Sequence, residues 1–301
     1  MRARKPIAKG DEITMRYRDI TNPFSVRQAD IKDGYYFTCT CEKCVEGGTL
    51  PEDSFAKSIE SGLSPEWCRR ADELMQKQQD DKLDVSWYRV GNNSTLAERR
   101  MTALQAEAFR PWAAMKGLRR QFRGDVPVIT LLDLETALRL CMESGMWSLT
   151  RQPVPDLLRS LFAAYMEAGD AHRCLHIGLK KYFIVDPVIT PQPFDYGRIV
   201  DAWALNSVAT AYSNPAKQGD AEKLSRAGCD PRMLFLGVLM EVWENLPKSY
   251  GRDSQLGQSV GKVWHTCVGE AEEPPKELKD QWRAAYPMLR AYAEKIDLLK
   301  L

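Results

Sequence analysis

Three closely spaced cysteines limit the local fold of this chain more than any other feature of its sequence. Cys39, Cys41 and Cys44 follow a run of aromatic residues in the segment GYYFTCTCEKC, residues 34–44. Thiolates this close repel one another unless a cation holds them, and Zn²⁺ with sulfur ligands prefers a tetrahedron of four. The spacing indicates a zinc site in a tight loop, while three small residues in a metal-free turn would give the same pattern.

The spacing supplies three ligands and does not reveal a fourth. Residues 1–38 contain no cysteine and no histidine, so we expect the fourth ligand from downstream, from another chain or from upstream sequence. Cys68 is the nearest downstream thiol. It falls inside a predicted helix beyond a linker, where we expect an ordinary helix cysteine.

Composition excludes several classes of protein. The net charge of +1 offers no basic face for nucleic acid, and no apolar run approaches the ~18 residues of a membrane span. The first residues are charged throughout and lack the apolar core of a secretory signal. We therefore expect a protein of the nucleus or cytoplasm, where cysteines are thiols or metal ligands more often than disulfides.

Residues 1–45 differ in pattern from the rest of the chain. After a Gly-Asp turn, apolar and aromatic residues alternate up to Tyr17, which predicts a strand. The next segment predicts a short helix that begins near Pro23 or Ser25 and stops at Gly34. Residues 46–63 are rich in glycine, proline, serine and acid, which is typical of a linker.

Residues 64–301 predict a mainly helical domain. One predicted helix stops at Gly145, and two amphipathic helices within 154–182 are joined by a tight turn at Gly169 and Asp170. Such a pair resembles one tetratricopeptide unit. The predicted fold is therefore mainly α, with a short α+β piece followed by a tetratricopeptide-like helical domain.

The order of motifs in residues 2–44 resembles a known family. It is similar to the C-terminal end of a SET domain running into its post-SET cysteine cluster, as in SET-and-MYND protein-lysine methyltransferases and related fungal SET proteins. The matching positions are Arg2-Ala3, Ile7, Gly10-Asp11-Glu12-Ile13-Thr14, Tyr17, Arg27, Ile31, Tyr35, Phe37 and the three cysteines. Asp11 and Ile31 replace a commoner Glu and Leu, both mild departures.

The resemblance implies a role for each matching residue. Tyr17 and Tyr35 would line the lysine channel as catalytic residues, and Phe37 would lie against the adenine of S-adenosylmethionine. Cys39, Cys41 and Cys44 would hold a structural zinc whose fourth ligand, in the family, is a cysteine upstream of this segment. The implied partner is a lysine-bearing protein, such as a histone.

Several family segments are missing from the 301 residues, including the glycine-rich SET strands, the Asn-His-x-x-x-Pro-Asn segment and the MYND zinc module. Either the chain is truncated or its gene model incomplete, or a paralogue has lost its catalytic half. We expect the chain alone to be inactive as a methyltransferase. The alternative function is a non-catalytic helical-repeat module that binds proteins and carries a vestigial SET tail.

Overall fold

All regular elements in the described residues are helical. A computed structural model describes residues 8–10, 17–47, 62–80, 95–115, 128–212 and 218–301. The helices are α1 (Phe24–Tyr35), α2 (Glu42–Val45), α3 (Pro65–Asp80), α4 (Leu96–Met115), α5 (Leu131–Ser144), α6 (Val154–Glu167), α7 (Ala171–Lys180), α8 (Asp186–Ile189), α9 (Tyr196–Ala211), α10 (Gln218–Arg226), α11 (Pro231–Asn245), α12 (Gln255–Cys267) and α13 (Lys276–Lys295). A π-helical turn spans Lys181–Val185, and 3₁₀ turns span Leu246–Lys248 and Leu298–Lys300.

The described residues divide into two compact units. The first unit extends to Leu161 and the second runs from Phe162 to Leu301, so the division falls within α6. The prediction of a mainly helical chain is confirmed for the described residues. The predicted strand before Tyr17 and most of the predicted linker lie outside them, so the SET piece, the boundaries at 45 and 64 and the tetratricopeptide-like character remain predictions.

The first unit is built around α4, which packs against both α3 and α5. Its apolar side chains, including Leu104, Phe109 and Trp112, are buried. Polar contacts fix the register of α3 on α4, since Gln78 Nε2 donates to the Ala103 carbonyl at 2.7 Å. The N-terminus of α5 carries a capping box between Thr130 and Asp133, and Gly145 ends this helix with a φ of 66°, as predicted.

The second unit is organised around α11, which packs against α9, α12 and α13. The predicted turn between α6 and α7 is present. Gly169 has a φ of 71°, and the side chain of Asp170 accepts a hydrogen bond from the Arg173 N–H at 3.0 Å, capping α7. Asn206 of α9 donates to the Phe235 carbonyl of α11 at 2.6 Å.

Two consecutive lysines at the end of α7 are buried and fully engaged. Lys180 Nζ donates to the carbonyls of Ala293, Glu294 and Ile296 at 3.0, 2.9 and 3.1 Å, which satisfies acceptors at the C-terminal end of α13. Lys181 pairs with Asp186 at 2.9 Å and with Asp201 at 3.2 Å. These contacts join α7, α8, α9 and α13 through charge as well as packing.

None of the helices in the described part of the chain combines the length and the apolar character that crossing a bilayer requires.

Stability of the second unit is expected to fall with acidification because of His176. Its Nε2 lies 2.9 Å from the Tyr292 hydroxyl. Burial, and after it the neighbouring His172, lowers the pKa of His176 from 6.5 to about 4. Since the unfolded chain therefore takes up this proton first, the stability that neutral His176 contributes is complete above pH 6.5 and is lost between pH 6.5 and 4.

We expect this loss to be about 1–2 kcal/mol, because partial exposure of the ring screens the charged form. The test is urea unfolding of the native chain and of His176→Gln, each at pH 7 and pH 4.5. The expected loss is the amount by which the free energy of unfolding falls further in the native chain than in the variant. The exposed His172 offers a matched control, since His172→Gln should keep most of the native pH dependence. An identical pH dependence in the native chain and His176→Gln would contradict the prediction.

Candidate functional site

The candidate site begins with α1, whose buried face is half apolar and half charged. Val26 and Ile31 are buried, and so are the charged Arg27 and Asp30. The Asp30 carboxylate lies 2.8 Å from Nε of Arg18. A helix with so few apolar positions docks through ion pairs and hydrogen bonds, and these govern the placement of the chain on either side of it.

The predicted stop at Gly34 is displaced by two residues, to Tyr36. α1 continues through Gly34 to Tyr35, and Tyr36 carries the left-handed backbone, with a φ of 62°. Gly34 instead leaves room for Arg18, because a Cβ there would lie 2.4 Å from Nη2 of Arg18. The missing side chain lets Arg18 cross the end of the helix, with its Cζ 4.8 Å from the centre of the Tyr35 ring.

Three of the predicted site residues form an aromatic cluster. The ring of Tyr17 meets those of Tyr35 and Phe37 edge to face, with centroids 5.0 and 5.3 Å apart. The three side chains are 42%, 44% and 38% exposed, which is high for aromatic residues in mutual contact. Their faces are therefore accessible to a further group, while their catalytic and cofactor-binding roles remain predictions.

The three predicted metal ligands lie together. The sulfurs of Cys39, Cys41 and Cys44 are all within 4.8 Å of one another. Cys41 precedes α2, and the N–H groups of Cys44 and Val45 donate to its carbonyl at 2.8 and 2.9 Å. One turn of helix thus fixes Cys41 relative to Cys44, while Cys39 lies outside that turn.

The short distances between the three sulfurs affect the pKa values of Cys41 and Cys44. Burial, followed by hydrogen bonding with Cys41 and Cys39, raises the pKa of Cys44 to about 11. Burial also opposes ionisation of Cys41, but hydrogen bonds from the Cys44 backbone, the other two thiols and the Lys43 backbone outweigh it and lower the pKa of Cys41. Without metal, Cys41 therefore loses its proton more readily than Cys44 does. A bound cation would favour the thiolate forms of both.

The cluster fits zinc in donor type and in spacing. Sulfurs bound to one tetrahedral Zn²⁺ are about 3.8 Å apart, given Zn–S bonds of about 2.3 Å, so a small contraction of the cluster would suffice. All eight cysteines and all three histidines of the chain belong to the described residues, and only these three sulfurs converge there. Cys68 is not among them, and the fourth position is left to another kind of group or to another source.

Four polar residues of the site carried no assigned role in the sequence. Gln28 Nε2 donates to the Cys39 carbonyl at 2.8 Å, and the Cys39 N–H donates to Gln28 Oε1 at 3.1 Å. Arg27 Nη1 donates to the Asn22 carbonyl at 2.7 Å, and its side chain acts to lower the pKa of Cys44 against the larger effect of burial. Arg27, Gln28 and Asp30 share one sequence signal, because the predicted helix that contains them has too few apolar residues to dock through apolar contacts alone. Arg18 lies before this helix and carried no such signal.

Comparison with known proteins identifies similarity over short stretches. A SET and MYND domain-containing protein of Dictyostelium discoideum is 43% identical over 49 residues, which are 16% of this chain and 9% of the relative. The human histone-lysine N-methyltransferase SMYD1 is 43% identical over 55 residues, 18% of this chain and 11% of the relative. Protein SET DOMAIN GROUP 41 of Arabidopsis thaliana is 34% identical over 59 residues, 20% of this chain and 11% of the relative.

No protein-family model matches the chain. The similar stretches span between 9% and 11% of the length of these curated relatives. Identities of this size over such lengths indicate that the chain contains a SET-related region.

Proposed function

We propose that residues 1–45 form the closing segment of a protein-lysine N-methyltransferase site of the SET class. The observation that carries the proposal is the juxtaposition of Tyr17, Tyr35 and Phe37 in one accessible cluster, directly before three convergent sulfurs. The relatives that bear SET or histone-lysine N-methyltransferase names support this class of activity. The substrate would be a lysine-bearing protein, such as a histone.

The chemistry of methyl transfer explains why aromatic residues suit such a site. S-adenosylmethionine, when bound, supplies the methyl group on a sulfonium, and the lysine amine must reach it neutral and in line. Tyr17 and Tyr35 combine an apolar wall with a hydroxyl that orients the amine, and neither competes strongly as a nucleophile. Phe37 offers a ring face to the adenine, and zinc on the three cysteines would fasten the loop that carries it.

A methyl-transfer assay with labelled S-adenosylmethionine and lysine-bearing proteins, including histones, tests the proposal. The 301 residues contain no Asn-His-x-x-x-Pro-Asn segment, so we expect no incorporation by the chain alone. A separately produced SET segment that carries this motif should restore incorporation. In that mixture Tyr17→Phe should lower the rate about tenfold, the effect of losing one orienting hydrogen bond.

Tyr36→Phe is the matched control, because Tyr36 is 83% exposed and lies between Tyr35 and Phe37 in sequence. It should leave the rate unchanged. Failure of the mixture to incorporate label would refute the catalytic proposal, and incorporation by the chain alone would refute its expected inactivity.

A second candidate function is supported by the close helix packing in the second unit. A Cβ on Gly178 of α7 would lie 2.7 Å from Phe162 of α6 and 2.8 Å from Leu205 of α9, so side chains of two other helices meet α7 at a glycine. Close packing of successive helices is typical of helical repeats that bind other proteins. Under this alternative, partner capture from a lysate would persist when Tyr17 and Tyr35 are both replaced by phenylalanine.

A further inference from the structure

The loop that carries the three sulfurs has little packing to hold it. Tyr36, Phe37, Thr38, Thr40 and Cys41 are all exposed. When a metal orders an exposed loop, the loop loses conformational entropy, and this loss lowers the affinity for the metal. Whatever fixes the loop beforehand therefore determines how tightly it can bind a cation.

The α2 turn accounts for two of the three cysteines. Hydrogen bonds to the Cys41 carbonyl hold Cys41 and Cys44 in one helical turn. Cys39 lies two residues before this turn and is not part of it. Its position has to be set by a contact from elsewhere in the fold.

Gln28, in the middle of α1, supplies that contact. Its amide meets both backbone groups of Cys39, donating to the carbonyl at 2.8 Å and accepting from the N–H at 3.1 Å. Two hydrogen bonds to one peptide position fix its orientation as well as its place, much as a neighbouring strand would. The adjacent Arg27 is 3% exposed and donates to the Asn22 carbonyl, which anchors α1 to the segment before it.

We propose that Gln28 is a positioning residue for the metal site, which holds Cys39 beside Cys41 and Cys44 before the metal binds. The inference rests on the proposed zinc site, and it adds that Gln28 raises the affinity of this site for Zn²⁺. α1 would then serve as the platform of the site, with Gln28 holding the first cysteine. Residues that orient ligands from outside the coordination sphere commonly change metal affinity by about 10–100-fold.

Zn²⁺ competition against a chromophoric chelator tests this role, using the reduced full chain and its Gln28→Met variant. Methionine keeps the length of the side chain but can neither donate to the Cys39 carbonyl nor accept from its N–H as the amide does. We expect Zn²⁺ affinity to fall about tenfold. The exposed Lys32 of the same helix provides the control, since Lys32→Met should bind Zn²⁺ as the native chain does.

Thermal unfolding of the metal-free forms separates positioning from folding. We expect Gln28→Met and the native chain to unfold at the same temperature without metal, since the loop lies outside the core. Unchanged Zn²⁺ affinity in Gln28→Met, or a matching loss of metal-free stability, would overturn the inference. If the native chain takes up no Zn²⁺, the metal site is refuted and the inference with it. The methyl-transfer assay would then still decide the catalytic proposal on its own.

Discussion

Replacement of Cys41 by serine is expected to lower the affinity of the chain for Zn²⁺ by about 70-fold to 1,000-fold. Structural zinc sites bind with about 10–16 kcal/mol over four ligands, so each thiolate contributes about 2.5–4 kcal/mol. The Cys41 sulfur lies within 4.8 Å of the other two. A serine hydroxyl in its place stays protonated at neutral pH and is a poor ligand for zinc.

Cys41 is the best of the three positions for this test because it is exposed. Loss of its sulfur should therefore affect the metal and spare the fold, whereas Cys44 is buried. Metal content after equilibration with a chelator measures the effect. Cys68→Ser makes the same change at a half-buried thiol of α3 outside the cluster, and it should retain native metal content. Equal zinc in Cys41→Ser and the native chain would rule out the three-sulfur site.

The sequence predicted the parts of the structure that local chemistry determines. The spacing of Cys39, Cys41 and Cys44 indicated that their sulfurs would converge, and they do. The glycines at 145 and 169 end helices because a left-handed backbone suits glycine, and this preference can be recognised without knowing the neighbours. Period and capping likewise predicted α5, α6 and α7.

Contacts between distant segments could not be predicted in this way. Consecutive lysines normally indicate a solvated face, yet Lys180 and Lys181 are buried, because the end of α13 presents three carbonyls and α8 and α9 present two carboxylates. Gln28 resembles any surface glutamine until the loop folds back on it. The close approach of the Arg18 guanidinium to Gly34 could be seen only in the structure. In each case the contacting residue depends on how distant helices and loops pack against one another. Such packing produces no periodic pattern in the sequence.

The largest effect on folding is expected from Gly237→Ala in α11, which should destabilise the second unit by about 3 kcal/mol. A Cβ at this position would lie 1.9 Å from Cε3 of Trp282, well inside contact distance, so the indole of α13 would have to move. Overpacking of this kind costs about 1–3 kcal/mol and occasionally more. Alanine would regain about 1 kcal/mol through its higher helix propensity, which is too little to compensate.

Movement of Trp282 would also break a partly buried hydrogen-bond network. Its Nε1 donates to Oε1 of Glu241 at 2.9 Å, and the Tyr182 hydroxyl donates to the other carboxylate oxygen of Glu241. Burial, and then the charge of Glu241, raises the pKa of Tyr182 well above its ordinary value, so this hydroxyl remains a donor. A hydrogen bond to a charged group contributes about 1.5–3 kcal/mol, and losing the indole's bond adds to the cost of the clash.

Gly261→Ala in α12 is the matched control for this prediction. Gly261 is also a buried helix glycine, but a Cβ there would meet the indole of Trp243 at 3.6 Å, an ordinary contact distance. Alanine at 261 should therefore be neutral or stabilise by up to about 1 kcal/mol. Urea unfolding followed by tryptophan fluorescence compares the two variants. If they unfold at the same urea concentration, the approach of α13 to α11 at Gly237 is not as close as the structure has it.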